Sequence, residues 1–557
     1  MATREREVDN AERMSEHEAL MWSIEKDPWL NPSGGSIILL DEPVDIERFR
    51  RVMRAGVART PRLYQRAVPG FGRISTPAWV PDAEFDLDAH VTEVVLPRPG
   101  TDRQLFDLAA RLYSEPLDRT RPLWRFVAIS GLSGGRGAIW GMIHHSVSDG
   151  IGQMRMAEMY QDFERNPELP PEVDLDAVVA EAVAAHRAKE SGGNTANGLV
   201  ATVRKSAEHV ARRQWGIGRR MAGEIALWPA DPRRVTETVE TTVDTVKAVA
   251  RQLGPRDEDK SPGSPLWATR SRHRHLEWVR VDVDELKAAG KALGGSVNDA
   301  FMAGLVEAVH RYHVEHGEPI ESTNTSFVLS TRSDGKAGGN SFTPVPLTLD
   351  ARPMTPADRI ASVVATIEEA KGEAQRTGGM TGLSGIANLL PISVITQAAR
   401  SASKRIDFAT SNLRGAPFPL YCAGARVEAT IAMGPVAGTG ANITAMSYDG
   451  SFDIGIFLDP EAITDPASFH EHVADSFADL IAAGSPARPA RRAAKKAPAK
   501  RTAAKKPAAK RAPAKKAAAK KRAPAKKAAA KKRAAKKAPA RKTAAKKRTA
   551  TKSAAKR

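Results

Sequence analysis

Two adjacent histidines, His144 and His145, are followed after three residues by Asp149 and Gly150, in a run from Ala138 that reads A-I-W-G-M-I-H-H-S-V-S-D-G. A neutral imidazole near its ordinary pKa is well suited to taking a proton from an alcohol near neutral pH. Ala138, Ile139, Trp140, Met142 and Ile143 predict a buried strand that ends at the pair. Successive strand residues point to opposite faces, so one histidine is expected to face a reaction space and the other the packed interior. Asp149 falls where the chain turns into a helix expected over Ile151 to Tyr160, and is expected to fix that loop through a charge or N-cap contact. Gly150 suits a backbone that needs positive φ or a close approach. A metal site would call for histidines at i and i+4 of a helix or a third ligand at suitable spacing, and the neighbourhood offers neither.

The elements that must position this corner follow from hydrophobic spacing. Arg125 to Ile129 pairs with the Ala138 strand across the Gly-rich connection Gly131 to Gly137, so a hairpin delivers the histidines. Ahead of it come a short helix and a strand within Met14 to Leu40, a helix from Val44 to Arg59 stopped by Pro61, an extended Phe85 to Val91 and a helix from Leu105 to Ser114. His90 is isolated and reads as a packing residue. Residues 165–265 are mostly helical and polar; the amphipathic, basic Val200 to Trp228 reads as a connector packed on the body, with a membrane-surface helix as the alternative.

Beyond the connector a strand (Trp278 to Val283) and a helix (Asp284 to Leu293) precede Gly294 to Asp299, which opens a helix running to His313. His310, His313 and His316 read as a solvated helix end rather than a metal site. Phe327 to Ser330 is a strand and Ile360 to Ala374 a helix. The apolar Ile386 to Ala399, broken by Pro391, reads as core, or alternatively as a lid or tunnel wall. A strand at Ala425 to Ile431, a hairpin turning at Asp449-Gly450 and a helix from Pro466 to Ala483 close the body.

Composition divides the chain into two physical objects. Of the 84 Lys and Arg among 557 residues, 31 lie from Pro486 onward, where Asp and Glu are absent; this leaves 53 basic against 65 acidic residues, a body of formal charge −12 inside a chain of +19. The tail repeats A-P-A-K-K-A-A-A-K-K-R at Ala512 to Arg522 and again at Ala523 to Arg533. With little apolar bulk and dense like charge it cannot bury a core and is expected to be disordered alone. A polycation of this kind binds DNA or an anionic lipid surface by counterion release, without reading sequence. The single cysteine, Cys422, excludes an internal disulfide and fits a reducing cytoplasm. The charged start of the chain shows no signal-peptide core, and no run of eighteen apolar residues occurs.

The H-H-x-x-x-D-G pattern at His144 to Gly150 resembles the signature of the chloramphenicol-acetyltransferase-like superfamily of CoA-dependent acyltransferases and peptide condensation domains. The ordered set with Ser15, P-L-W at Pro122 to Trp124, N-D at Asn298-Asp299, S-N-x-x-G at Ser411 to Gly415, P-L-Y at Pro419 to Tyr421 and S-Y-x-G at Ser447 to Gly450 is similar to the bacterial wax ester synthase/acyl-CoA:diacylglycerol acyltransferase family. The resemblance covers roughly Met14 to Gly484. The tail resembles those of linker histones. The family's P-M-H-V-G is here Leu30 to Gly35, and its S-N-V-P-G-P is Ser411 to Pro417, changes that bear on acceptor preference.

The resemblance implies an α/β fold of mixed sheets in two lobes: residues 1–164 carrying the histidines, a connector at 165–265, a second lobe at 266–485 and the tail at 486–557. It implies His145 as general base, His144 and Gly150 beside it, Asp149 as organiser of the site, and no cofactor, with acyl-CoA as substrate and diacylglycerol or a long-chain alcohol as acceptor. Asn298 is the candidate oxyanion donor, with Asp299 beside it, and a helix-entry role is the alternative for both. The implied location is the cytoplasm, peripheral to the membrane or to lipid inclusions. Two other readings compete: a condensation-type transferase using a carrier-protein thioester, and a non-catalytic protein tethering lipid to DNA or anionic membrane.

Overall fold

The computed structural model describes residues 13–70, 76–148, 150–191, 263–330, 342–377 and 392–485. The chain divides into a unit of Met1–Ala490 and a unit of Arg491–Arg557. The tail, the basic stretch Val200 to Trp228 and the first residues of the apolar Ile386 segment lie outside the described residues.

Fifteen strands are described. The first seven are β1 (Ser33–Leu40), β2 (Gln65–Val68), β3 (Ala78–Pro81), β4 (Val91–Val95), β5 (Trp124–Ser130), β6 (Gly137–His144) and β7 (Gln161–Asp162). Next come β8 (His275–Asp282), β9 (Ser322–Ser330), β10 (Phe342–Asp350) and β11 (Phe408–Arg414). The last are β12 (Tyr421–Cys422), β13 (Ala425–Met433), β14 (Ala441–Tyr448) and β15 (Ser451–Leu458). One sheet runs β4-β5-β6-β1-β13-β12-β7 and the other β10-β9-β11-β14-β15-β8, each mixing parallel and antiparallel pairs; β2 and β3 form a separate hairpin.

The centre of the first sheet is covered on both faces, which is why β6 is buried at every position, whereas β4 carries exposed residues and the start of β13 alternates buried with exposed ones. Along β1, Ile37 and Leu39 pack with Leu105 and Phe106 of the helix Asp102–Ser114, whereas Ile38 and Leu40 pack with Phe49 and Met53 of the helix Ile46–Arg59. Both helices start on side-chain caps, Thr101 with Gln104 in a capping box and Asp45 on Arg48 N–H. In the second lobe the helix Val297–Glu315 is buried nearly all round, and its Phe301 meets Phe452 of β15 edge-on at 5.6 Å. The expected hairpin turns at Asp449 (φ 42°) and Gly450 (φ 82°), the left-handed pair that a two-residue turn of this hand requires.

Three expectations are corrected. Residues 266–485 do not all belong to the second lobe's sheet: β12 and β13 join the first sheet, where Ile431 sits opposite Ile37 of β1. Backbone pairing between distant segments is invisible to local periodicity. Phe85 to Val91 is not simply extended, because Asp86 caps one helical turn, Leu87–His90, before β4 begins; His90 itself packs as read, stacked on Trp124 at 4.5 Å with Nδ1 against the Trp124 carbonyl at 2.7 Å.

The histidines at the end of the helix Val297–Glu315 are not all solvated. His313 is fully buried; its Nδ1–H donates to the Val309 carbonyl at 2.7 Å, so Nε2 accepts the Ser264 hydroxyl at 2.5 Å. The Ser264 N–H in turn donates to the buried Asp407, whose other oxygen accepts from Thr323 and Asn324. Burial lowers the His313 pKa and raises that of Asp407.

Candidate active site

His144 is the last residue of β6, paired with Ser33 of β1, and its side chain is fully buried. Its Nδ1 lies 3.0 Å from the Ser146 amide, which can only donate, so the ring proton sits on Nε2. Nε2 faces the Glu25 carboxylate at 3.5 Å. Glu25 caps the helix Glu16–Ile24 and accepts from Arg119 at 2.9 Å, while Arg119 donates to the Trp22 carbonyl and lies 3.9 Å from the centre of the Trp22 ring. Burial lowers the Arg119 pKa and Glu25 opposes that shift. This arrangement pins the turn that follows, closed by the Val147 N–H on the His144 carbonyl at 2.8 Å.

His145, one residue on, stands outside the strand and lines a cavity. The division of labour expected from alternation is therefore present: His144 in the interior, His145 toward open space. Gly150 opens the helix Gly150–Ala157, and Asp149 lies outside the described residues.

The cavity measures about 1150 Å³ and lies between the two sheets. Gly34, Gly141 and Ile143 of β1 and β6 form one wall, and Ala409 to Gly415, along and just past β11, form another. Leu20, Met21 and Ile24 of the helix Glu16–Ile24 and Val394, Ile395 and Ala398 of the helix Ile392–Ser403 close it with apolar side chains. The described part of the Ile386 segment is thus a cavity wall as well as core. Pockets for small-molecule ligands run roughly 300–1,000 Å³, so this cavity lies just above that range. At the rim, Phe163 and Phe418 stand 5.7 Å apart and are 76% and 44% exposed.

Asn298 and Asp299 are placed elsewhere. Asp299 completes a capping box, accepting the Ser296 N–H at 2.8 Å, and neither residue is part of the cavity lining. Asn298 accepts from Asn412, a lining residue, at 3.3 Å. The cap ties the Asp299 side chain to the helix start, as its helix-entry reading expects, whereas Asn298 is linked to the cavity wall through Asn412. Sequence reasoning missed Glu25 and Arg119, which are 94 residues apart, and Gln153, a polar residue in the lining one turn beyond Gly150. Only the last left a local signal, an amide among apolar neighbours. Among the described residues no group of three His, Cys, Asp or Glu side chains gathers as metal ligands, and no helix is long and apolar enough to cross a membrane.

Comparison with known proteins places this geometry. The profile of the wax ester synthase/diacylglycerol acyltransferase catalytic domain matches residues 14–301, and that of the C-terminal domain residues 338–481. A Mycobacterium tuberculosis protein bearing the name diacylglycerol O-acyltransferase is 29% identical over 451 residues, covering 81% of this chain and 88% of its own. A second of that name from the same organism is 25% identical over 471 residues, 82% and 93% of the two chains. The solved wax ester synthase/diacylglycerol acyltransferase of Marinobacter aquaeolei VT8 shares the fold with a TM-score of 0.54 at 18% identity, over 85% of this chain and 99% of its own.

Proposed function

Because this chain belongs to the wax ester synthase/diacylglycerol acyltransferase family and is an acyltransferase, we propose that it moves a long-chain acyl group from acyl-CoA to the hydroxyl of diacylglycerol, forming triacylglycerol. A long-chain alcohol is the second acceptor, giving wax ester. The observation that carries this reading is a histidine presented from a pinned turn to a large apolar cavity between two sheets.

In this mechanism His145 takes the hydroxyl proton of the acceptor as its oxygen bonds to the thioester carbonyl carbon. The carbonyl electron pair moves to oxygen; on collapse the C–S bond breaks and the thiolate of CoA leaves with the proton held by His145. His144 keeps the turn in place, and Asp149 organises the loop that Gly150 ends. The reaction as written needs no cofactor.

The exposed Phe163 and Phe418 at the rim favour a lipid surface as the place where an apolar acceptor enters, and we place the working enzyme on the inner membrane face or on lipid inclusions. The tail adds a polycation for anionic polymers, DNA or acidic lipid. Removing Pro486 to Arg557 is expected to weaken low-salt binding to both; unchanged binding refutes this role.

The test of the reaction is release of CoA from palmitoyl-CoA with diacylglycerol or hexadecanol as acceptor, for the wild type and His145→Ala. Acceptor-dependent release that the substitution abolishes is expected. No release with either acceptor overturns the reading.

A further inference from the structure

The missing side chain of Gly34 leaves a gap beside His145. A Cβ built on Gly34 would lie 3.3 Å from His145 Nε2, 3.4 Å from Gln153 Nε2 and 3.5 Å from Gln153 Oε1. All three residues line the cavity, so the gap opens into it. The imidazole nitrogen and the carboxamide therefore converge over the bare Gly34 backbone, where a side chain would crowd both. Acyl transfer needs such a convergence: a base and a donor for the charge that develops on the carbonyl oxygen, both within reach of one reacting group.

The amide's orientation follows from its neighbour. Its Nε2 lies 3.3 Å from the Ser148 carbonyl, which can only accept, so the NH₂ end faces that way and a second N–H is left to donate. Gln153 lies on the helix Gly150–Ala157, eight residues after His145, so donor and base come from one short stretch of chain. From this geometry we infer that Gln153 donates an N–H to the oxyanion of the tetrahedral intermediate, and that Gly34, by carrying no side chain, lets His145 and Gln153 converge on one reacting group in the cavity.

The inference rests on the acyl-transfer reading above. In the step it serves, the acceptor oxygen bonds to the carbonyl carbon, its proton passes to His145, and the carbonyl electron pair becomes the oxyanion that Gln153 holds until the C–S bond breaks. An acceptor alkyl group at the same place would instead make Gln153 a shape-determining residue, with a different kinetic signature.

The experiment compares wild type, Gln153→Ala, Gln153→Met and Gly34→Val in the CoA-release assay with palmitoyl-CoA and diacylglycerol, alongside melting temperatures. Loss of an oxyanion donor costs about 10²–10³-fold in kcat. The Ala and Met variants are therefore both expected to lose on that order in kcat, with KM for palmitoyl-CoA and the melting temperature little changed. Gly34→Val is expected to lose turnover by filling the gap. Gln153→Met conserves volume without a donor, so wild-type kcat in that variant overturns the assignment, as does an effect confined to KM. A wild-type chain with no acceptor-dependent release overturns the transfer reading and this assignment with it; normal wild-type turnover with an unaffected Met variant overturns this assignment alone.

Discussion

Among the described residues, His144 and His313 both sit in buried surroundings, and the first adjoins the cavity that His145 lines. In the second lobe Ser264, His313 and Asp407 make contacts that resemble a catalytic arrangement, with the serine hydroxyl donating to Nε2 at 2.5 Å. Yet Ser264, His313 and Asp407 are each 5% exposed or less, and Trp267 packs 5.1 Å from the imidazole. In the first lobe His144 is just as buried, but the chain ends its strand there and sets His145 against about 1150 Å³ of open space. Short hydrogen bonds around a histidine are therefore common to a core and a site. Access for a reacting group is what separates them.

The largest effect is expected from exchanging the roles by mutation. His145→Ala is expected to lower acceptor-dependent CoA release by about 10²–10⁴-fold and to leave the melting temperature unchanged. His313→Ala is expected to do the reverse, and activity loss without destabilisation there would break the comparison. Next comes Glu25→Ala, which removes the carboxylate facing His144 Nε2 and leaves Arg119 unpaired at that end. Misplacing a reacting group by about 1 Å can cost about 10²-fold, so kcat is expected to fall by up to that factor, with a smaller change in KM for palmitoyl-CoA.

A smaller effect is expected from His313→Gln, about 1–3 kcal/mol of stability for a buried hydrogen-bonding group left mismatched, read by denaturant unfolding. The pH dependence sharpens this further. Burial holds the folded-state His313 pKa below its ordinary value near 6.5, so on acidification the unfolded chain takes up the proton first. Its contribution to stability is therefore complete above about pH 6.5 and declines as pH falls from there toward the lowered folded pKa. His90, also depressed by burial, acts in the same direction. Unfolding curves between pH 7 and 5 are expected to show a flatter decline for His313→Gln than for wild type; parallel declines would show that His313 is not the group responsible.

Much of the fold was legible in the chain. The strand before His144 is buried at all eight positions, as an apolar run covered on both faces must be. The hairpin at Asp449-Gly450 and the helix at Ser296 follow from local turn and cap chemistry. Asn298 and Asp299 show where such reading stays open: a polar pair at a helix start looks equally like a binding site and a cap, and the Ser296 contacts engage Asp299 in the cap while Asn298 bonds Asn412.

The sequence by itself determined the elements, the division between acidic body and basic tail, and the histidine pair at a strand end. These depend on neighbours within a few residues, whose periodicity and turn chemistry act locally. Only the tertiary structure decided that β13 joins the first sheet, that Glu25 and Arg119 brace His144, and that His145 and Gln153 converge on Gly34. Those relations join residues from eight to nearly four hundred positions apart, and burial and close packing, not local propensity, bring them together.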